Sequence, residues 1–450
     1  MQARKAGALA GLSLVICLLA GWSVYGTSNR TGNIPVPVQQ EENCLFPGHE
    51  PYGAGIGAMP GRVTWVYDPD SVEWDGDGWW WSLEHFDEAA MLDMVNAGIA
   101  SLAGEEEVRS GWETLFRAYN RTHEKGETGY AAGERLVIKA NINGSGLFDD
   151  DASGATQMSY TNPVLLKALL LSLVEEAKVP AEAITVYDVS RIFPDYMVEL
   201  CTAGGLSGVQ FIDRRNAQAD FEVPIRWSYE FEGDTNYLPV CVTEADYMIN
   251  LANLKGHSYG ITLCGKNHFG SYLNSNSLRP PEGANLHGFM TASEMGRYSP
   301  LVDFMANQHL GGKTMLYLLD AVICAPTEGA SVTGENSRWQ QAPFYGDYTS
   351  SIFFSQDPVA IDSVGADFLA NEPVVLEYNR ILGHKPEVEN YLHEAGLAAK
   401  TPSGIRYQNG AGVGIFNLGV HEHWNNPQDK QYSRNLGDSE GIELIFLDMR

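Results

Sequence analysis

The chain has 450 residues, of which 44% are apolar, 11% aromatic and 19% charged, a composition typical of a folded globular protein. Its 57 acidic residues outnumber its 29 lysines and arginines, which gives a formal net charge of −28. A surface this negative repels phosphate backbones and anionic lipid headgroups, so we expect no nucleic-acid partner.

The first 26 residues are typical of a signal peptide or signal anchor. Arg4 and Lys5 precede an uncharged, mostly apolar run over Ala6–Trp22, and small residues suitable for cleavage follow it. We expect the protein to be exported, and to meet a membrane only through this segment if it stays uncleaved. Residues 27–61 lack hydrophobic periodicity and are predicted to be a flexible linker before one domain over residues 62–450.

In chain order, the hydrophobic patterns then alternate between strands and helices. They predict a strand from Arg62, helices over Glu84–Ala103 and Glu105–Arg121, a strand over 134–143, a helix over 161–179, a strand over 183–190, a short helix over Pro194–Gly204, a strand over 208–213, buried strands over 244–254 and 313–323, a strand and helix over 351–370, and a last strand over 441–448. Near-continuous apolar strands separated by helices favour a mostly parallel or mixed sheet covered by helices on both faces. The fold class is therefore α/β, as a single large domain with loop insertions.

Two of these helices have clear start signals. Thr161 or Asn162 is the predicted N-cap of one helix, with Pro163 in its first turn. Asp357 is the predicted N-cap of another, followed by Pro358. A proline suits the first helical position because its missing N–H would have no partner there.

Cysteine usage limits the cofactors. The six cysteines are Cys17, Cys44, Cys201, Cys241, Cys264 and Cys324. No two of them stand in a C-x-x-C spacing, so we expect neither an iron–sulfur cluster nor a zinc ribbon. Cys17 belongs to the predicted signal. For the other cysteines, one or two disulfides and a set of small buried thiols are both open.

The first group of candidate site residues lies in RLVIKANIN. Strand alternation places Lys139 and Asn141 on one face with Val137, opposite the apolar Ile138 and Ala140. Both polar residues are near the carboxyl end of the strand, where open α/β sheets bind ligands. We predict that Lys139 and Asn141 bind a ligand. The alternative is a lysine at the sheet edge beside an asparagine that caps the loop.

The second group lies in NLKGHSYGITLCGKNHFG. Lys255 and Lys266 suit a carboxylate or phosphate, and Asn267 adds an amide. His257 is the predicted general acid or base, with the two lysines as its catalytic partners. For His268 we favour the alternative, a histidine that orders the loop through backbone hydrogen bonds.

Two carboxylates, Asp357 and Asp362, are predicted to orient a lysine or bind a cation. Helix capping by Asp357, and ion pairing with the lysines, are the simpler alternatives.

The segment GVHEHWNN offers a separate metal-binding pair. If it is extended, His421 and His423 project to the same face and would bind a divalent metal ion. Two ligands do not complete a site, and the sequence does not identify the others. The metal and any other cofactor therefore stay open.

An aromatic loop over Trp79–Trp81 supplies a further alternative, because tryptophans stack on sugar rings. The commoner fate of such a loop is to pack over the core. The sequence contains no G-x-S-x-G elbow, no P-loop and no G-x-G-x-x-G after a strand. A serine hydrolase, an NTPase and a dinucleotide dehydrogenase all lose support.

From Val63 to the C-terminus the sequence resembles the DUF362 family, a domain family of unknown function. The resemblance rests on RLVIKANIN, TNPVLLKALLLSLVEEA, ADYMINLANLKGHSYGITLCGKNHFG and SQDPVAIDSVGADFL, in that order. The positions that match its motifs are Lys139, Asn141, Lys255, His257, Lys266, Asn267, Asp357 and Asp362. Some members carry an added ferredoxin-like segment, which this chain lacks, and the tail from Gly419 resembles a secreted branch.

The family supplies no reaction, so function is predicted from the residues. The first hypothesis is an enzyme acting on a small anionic molecule by lysine and histidine acid–base chemistry. The second is a non-catalytic ligand- or glycan-binding protein outside the cytoplasm. The third is a metalloprotein that uses His421 and His423.

Overall fold

The computed structural model describes residues 46–146, 155–230, 235–274, 286–290, 294–378 and 386–450. The predicted signal, and residues 27–45 of the predicted linker, lie outside this part of the chain. Asn43–Arg450 form one compact unit. Within the described ranges, no helix has both the length and the apolar character needed to cross a bilayer.

A large mixed sheet forms the centre of the fold, and eight strands belong to it in the described part of the chain. In spatial order they are β15 (Glu443–Asp448), β1 (Arg62–Tyr67), β14 (Ser351–Ser355), β11 (Thr314–Ala321), β7 (Tyr247–Asn253), β2 (Leu136–Lys139), β3 (Ile184–Asp188) and β4 (Gln210–Asp213). β11, β7, β2, β3 and β4 run parallel, β1 is parallel to β15, and β14 is antiparallel to both of its neighbours. The predicted mixed, largely parallel α/β sheet is confirmed.

Smaller strands decorate this sheet. They are β5 (Ala219–Pro224), β6 (Asn236–Pro239) and β10 (Leu273–Asn274) in one small sheet, β8 (Lys255–His257) with β9 (Gly260–Thr262), and β12 (Arg338–Trp339) with β13 (Asp347–Tyr348). The hairpin of β8 and β9 follows directly from β7, so it carries the chain beyond the carboxyl end of a central parallel strand.

Helices cover the sheet and connect its strands. They are α1 (Glu88–Ala103), α2 (Val108–Thr122), α3 (Pro163–Glu175), α4 (Asp195–Cys201), α5 (Val240–Thr243), α6 (Cys264–Asn267), α7 (Pro300–Ala306), α8 (Pro358–Ala370), α9 (Pro373–Tyr378) and α10 (Glu387–Gly396). Asn162 and Asp357 cap α3 and α8, and each side chain accepts two backbone N–H groups of the first turn. Both predicted helix starts are confirmed.

Side-chain alternation in β2 divides the interior into two cores. Leu136, Ile138 and Ala140 pack in the core that contains α1, α2 and α3. Val137 packs in the opposite core, which contains α7, α8 and α10. Lys139 shares the face of Val137, as the alternation predicts, and it is fully buried. The helices on this second face decide what surrounds the polar strand ends.

Residues 46–61 differ from the predicted linker. Tyr52 exchanges two backbone hydrogen bonds of 2.8 Å with His421, and Ile56 N–H donates to the Asp357 carboxylate at 3.0 Å. Gly53 has a φ of +84°, and a Cβ there would lie 2.2 Å from the carbonyl oxygen of Gly419. The glycine-rich composition predicted a linker, but in the structure glycine at position 53 allows this backbone to pack closely on the backbone at Gly419. The compact unit therefore includes this segment.

The described cysteines are free thiols. Cys201, Cys264 and Cys324 are buried, and Cys241 is partly buried. Within this part of the chain they follow the alternative of small apolar side chains, while Cys17 and Cys44 lie outside it.

Candidate functional site: a basic cleft and a histidine cluster

A cavity of about 240 Å³ opens at the carboxyl ends of β2 and β3. Its polar lining includes Asn141, Asn143, Arg191, His257, Lys266 and His287, and these residues define the cleft. The Asp188 carboxylate also lines the cavity, where it is paired with Lys139. Ligand crevices of open α/β sheets form at this end of the parallel strands. Four of the predicted site residues, at positions 141, 257, 266 and 267, therefore line one cavity.

Lys266 lies in α6 and is only 7% exposed. Its Nζ is 3.1 Å from His287 Nε2 and 3.3 Å from the centre of the Phe269 ring. Among the described residues, no carboxylate oxygen lies within 4.0 Å of this Nζ. Burial lowers the pKa of Lys266 to about 7, with Glu328 opposing the change and Lys255 adding to it. The side chain is therefore divided between ammonium and free amine near neutral pH.

The two imidazoles of the cleft are neutral near neutral pH. The rings of His257 and His287 stack with centres 6.0 Å apart. Burial holds the pKa of His257 well below its usual value, and burial together with the Lys266 charge lowers that of His287 to about 4. The backbone N–H of Tyr259 donates to His257 Nδ1 at 3.0 Å, so the proton of the neutral ring is on Nε2. His257 is thus a donor at Nε2.

Lys139 supports the cleft from behind. Its Nζ lies 2.8 Å from the Asp188 carboxylate, and both side chains are almost fully buried. It also donates to Asn267 Oδ1 at 3.2 Å. The amide of Asn267 in turn donates to the backbone oxygens of Lys139 and Leu251. The predicted ligand-binding residues Lys139 and Asn267 therefore hold β2, β7 and α6 together, although Asn267 also lines the cavity.

Lys255 also lies behind the cleft. It is fully buried, and its Nζ donates to the Ser159 carbonyl at 2.7 Å and to Asn141 Oδ1 at 3.4 Å. Burial lowers the pKa of Lys255 to about 8. Unlike Lys266, this lysine is not part of the cavity wall. The structure gives it a positioning role, because it orients the Asn141 amide that does face the cavity.

Asp362 acts on the cleft at a distance. Its carboxylate accepts the backbone N–H groups of Cys264 and Gly265 at 2.8 and 2.9 Å, which fixes the start of α6. Tyr391 donates to it at 3.2 Å. Asp362 therefore positions the helix that carries Lys266, whereas the sequence predicted direct contact with a ligand or cation.

Asp357 follows the capping alternative. Besides the two N–H groups of α8, it accepts those of Ile56 and Val420 at 3.0 and 3.2 Å. Four backbone donors occupy this buried carboxylate, and it does not line the cleft. Neither Asp357 nor Asp362 lines the cavity, although both were predicted to bind the ligand.

His268 is also structural, as favoured. Its Nε2 accepts from the Asn250 amide at 3.1 Å and its Nδ1 lies 3.0 Å from Ser271 Oγ. Burial lowers its pKa to about 3, so the ring stays neutral.

Sequence reasoning missed three polar residues of the cleft: Asn143, Arg191 and His287. Arg191 follows β3 by three residues, and its position after a buried parallel strand was a usable signal. Its guanidinium donates to the carbonyls of Asn143 and Ser190 at 3.3 and 3.2 Å. His287 lies in a short turn with no local pattern, so only the tertiary fold places it beside Lys266.

His421 and His423 do project to one side, and the structure adds partners to them. His49 and Glu389 join them, with one ligand atom from each of the four residues within 4.8 Å of the others. We call these four residues the histidine cluster. His393, one helical turn after Glu389 in α10, is not one of the four, but its Nε2 lies 3.1 Å from the Glu389 carboxylate. His49 has no local sequence signal.

The aromatic loop packs mainly on the core. Trp80 is buried and donates from Nε1 to the Met158 carbonyl at 3.2 Å. Trp81 stacks on Tyr196 at 4.1 Å, so its face is already covered. Trp79 remains 48% exposed and stacks on Trp81. Trp80 and Trp81 therefore pack against the protein, as the alternative interpretation expected, and Trp79 is partly exposed.

A family model described as a domain of unknown function, DUF362, matches residues 137–367, about half of the chain. The chain belongs to the DUF362 family. No match to a curated protein was found. The match is narrower than the resemblance from Val63 onward, and it runs from β2 to α8. The DUF362 region thus contains all of the cleft residues, whereas the histidine cluster lies outside it.

Proposed function

We propose that this DUF362 protein binds a small anionic molecule in the cleft and exchanges a proton with it through Lys266. The observation that carries the proposal is the environment of Lys266: a nearly buried amine that faces the cavity without a carboxylate partner among the described residues. Such an amine gains most from an anion, because the bound charge replaces the water that burial removed.

The rest of the cleft suits this role. Arg191 stays charged near neutral pH and gives the cavity a fixed positive group. The amides of Asn141 and Asn143 offer both donors and acceptors that can fix the orientation of a ligand. A cavity of about 240 Å³ is smaller than typical drug-sized pockets of about 300–1,000 Å³, which favours a small ligand.

The proton chemistry follows from the lysine pKa. A pKa of about 7 leaves a substantial fraction of Lys266 as free amine, which accepts a proton from an acidic C–H or O–H group. The resulting ammonium then stabilises the negative charge that remains on the substrate. His257, with its proton on Nε2, supplies a second donor in the same cavity. An enzyme that moves protons on a small carboxylate or phosphate fits this arrangement better than a passive binder.

Calorimetric titration with inorganic phosphate, repeated in buffers of different ionisation enthalpy, tests the proposal. An anion bound beside Lys266 raises the pKa of that lysine, so binding just above pH 7 should take up a proton. We expect Lys266→Met to abolish this uptake and to weaken binding. Lys266→Arg should restore part of the binding without the proton uptake, because arginine does not titrate in this range.

Lys313 provides the matched control. It is another buried lysine with a pKa lowered to about 8, and its Nζ donates to the carbonyls of Val242 and Thr243. Lys313→Met should leave phosphate binding and proton uptake unchanged. Equal binding and equal proton uptake in the wild type and Lys266→Met would refute the proposal.

We also propose that the protein works outside the cytoplasm. This proposal is supported by the first 26 residues, in which two positively charged residues precede an apolar run and then small residues, the order found in signal peptides. Cell fractionation of the full chain and of a variant with Leu14→Arg and Leu18→Arg tests this, because charges in the apolar run block export. Equal distribution of the two proteins would contradict it.

A further inference from the structure

The histidine cluster joins three distant parts of the compact unit. His49 comes from the N-terminal segment, Glu389 from α10, and His421 and His423 from the extended segment before β15. His49 Nε2 lies 3.2 Å from His421 Nε2, and His423 Nε2 lies 2.7 Å from Glu389 Oε1. The cluster thus offers four closely spaced ligand atoms, and a structural zinc site with no open position has four protein ligands.

The tautomer of His49 follows from its outer hydrogen bond. Its Nδ1 is 2.7 Å from the carbonyl oxygen of Glu50. A carbonyl oxygen only accepts, so Nδ1 carries the proton of this ring. In the neutral ring, Nε2 therefore presents a lone pair to the centre of the cluster.

His421 is held in the same way. Its Nδ1 is 2.9 Å from Ser363 Oγ, and that hydroxyl donates its own proton to the Val359 carbonyl at 2.7 Å. Ser363 Oγ is therefore an acceptor toward the ring, and His421 Nδ1 is the donor. The inward Nε2 of this neutral ring is again a lone pair.

Two lone pairs thus face each other across 3.2 Å at the His49–His421 contact. Two acceptors make no hydrogen bond, and only an added proton or a shared cation satisfies both atoms. The carboxylate of Glu389 lies beside them and supplies negative charge for a cation. The arrangement is what a metal ion requires of its ligands, since each must be unprotonated at the bonding atom.

His423 has the same kind of outer support, but its inner nitrogen carries a proton when no ion is bound. Its Nε2 lies 2.7 Å from Glu389 Oε1, and a carboxylate only accepts, so a metal ion must displace this proton. Its Nδ1 is 2.6 Å from Asp367 Oδ1, and Asp367 is itself fixed by the backbone N–H of Trp424 and the hydroxyl of Tyr432. A carboxylate that orients a histidine from behind is the usual outer support of a zinc ligand. All three imidazoles therefore have an acceptor on Nδ1 and direct Nε2 inward.

We propose that the histidine cluster binds one Zn²⁺ ion as a structural site, with His49, Glu389, His421 and His423 as its ligands. Three imidazoles and one carboxylate suit zinc, whereas Ca²⁺ and Mg²⁺ prefer sites made of oxygen atoms. Ligand atoms about 2.0–2.1 Å from a tetrahedral ion are roughly 3.3–3.4 Å apart, close to the His49–His421 separation of 3.2 Å. Four protein ligands leave no open position, so the ion joins segments and does not activate water.

Metal analysis of the full-length chain without a histidine tag tests the site. We expect one zinc per chain after dialysis against buffered zinc, and loss of that zinc in His49→Ala and His421→Ala. Asp367→Asn keeps all four ligands but weakens the support of His423, so zinc affinity should fall by about 10- to 100-fold. His123→Ala, an exposed histidine elsewhere, should keep the full complement.

Cobalt substitution keeps the test independent of how the variants fold. In the wild-type chain, Co²⁺ should give the intense visible absorption of a tetrahedral site, and Zn²⁺ should displace it. Zinc content that stays at one per chain in both histidine variants would overturn the proposal. So would a wild-type chain that binds no zinc, which would mean that added protons and the His423–Glu389 ion pair hold the cluster instead.

Discussion

The cleft and the histidine cluster have opposite shortages. In the cleft, Lys266 has the neutral His287 ring as an acceptor but no carboxylate within 4.0 Å among the described residues, so its positive charge lacks a counter-charge. In the cluster, His49 and His421 present two lone pairs to each other, so acceptors lack a donor. The first shortage calls for an anion and the second for a cation. The comparison teaches that a ligand's charge can be inferred from the hydrogen-bonding role that a protein leaves unfilled.

The two regions also differ in what holds them together. The cleft contains its own buried ion pair, Lys139 with Asp188, so its walls are fixed by the protein alone. The cluster depends on three chain segments, and the proposed ion is what would join them. Breaking the ion pair, removing the ion and changing the pH should therefore affect the two regions differently.

Asp188→Ala should have the largest effect. It leaves Lys139 buried without its counter-charge, and removing one partner of a buried pair lowers the free energy of unfolding by about 3–5 kcal/mol. Urea denaturation measures the change. Glu113→Ala, which breaks the exposed pair with Arg117, should change stability by at most about 0.5 kcal/mol. Equal losses in the two variants would show that burial of the cleft pair contributes little.

Zinc should have the next largest effect. At a zinc concentration about 100 times its dissociation constant, the ion should add about 2.7 kcal/mol to the free energy of unfolding, since it binds the folded chain. Thermal denaturation with zinc and then with excess chelator measures the difference. His421→Ala should unfold at the same temperature in both conditions. A zinc response that persists in this variant would place the stabilising ion elsewhere.

The pH dependence of Lys266 should give a smaller effect per pH unit. Its folded pKa of about 7 lies below its unfolded value of about 10.4, so the unfolded chain binds more protons between these two pH values. Stability contributed by this group therefore rises with pH in that window, by at most about 1.4 kcal/mol per unit. The difference in unfolding free energy between wild type and Lys266→Met should shift in favour of the wild type from pH 7 to 9. A difference that does not change with pH would mean that Lys266 titrates normally.

Trp79→Ala should have the smallest effect. Because this side chain is about half exposed, we expect a loss of less than about 1 kcal/mol in stability. Phosphate binding and zinc content should both stay unchanged, as neither region contains Trp79. Glycan-array binding that disappears in this variant would instead favour the glycan hypothesis drawn from the aromatic loop.

The fold was largely predictable because its signals are local. The alternation in β2 assigned Val137 and Ile138 to opposite faces of the sheet, and the structure confirms this by packing them in different cores. The prolines after Asn162 and Asp357 marked helix starts that the structure confirms. The packing of residues 46–61 was missed, because their glycines read as a linker when the partner backbone is unknown.

The sites were predictable only in part. Strand ends placed Asn141 and Lys266 in one cavity, yet no pattern distinguished Lys266 from Lys255. The hairpin of β8 and β9 reverses the chain between Lys255, which lies in β8, and Lys266, which lies beyond it in α6. Only Lys266 lines the cavity, and the sequence carries no signal of this difference. His49 and His287 reach their sites through tertiary contacts, and hydrophobic periodicity carries no information about such distant pairs.

The backbone pairing between Tyr52 and His421 joins two segments that are far apart in the sequence. The two histidines of the His49–His421 contact are 372 positions apart, so the ribosome must make the chain through residue 421 before they can meet. The entropic cost of closing a loop grows only logarithmically with its length, so each doubling of the loop adds only about 0.6 kcal/mol. A chain that ends before residue 421 lacks the partner of Tyr52, so this pairing forms only once the segment before β15 is present.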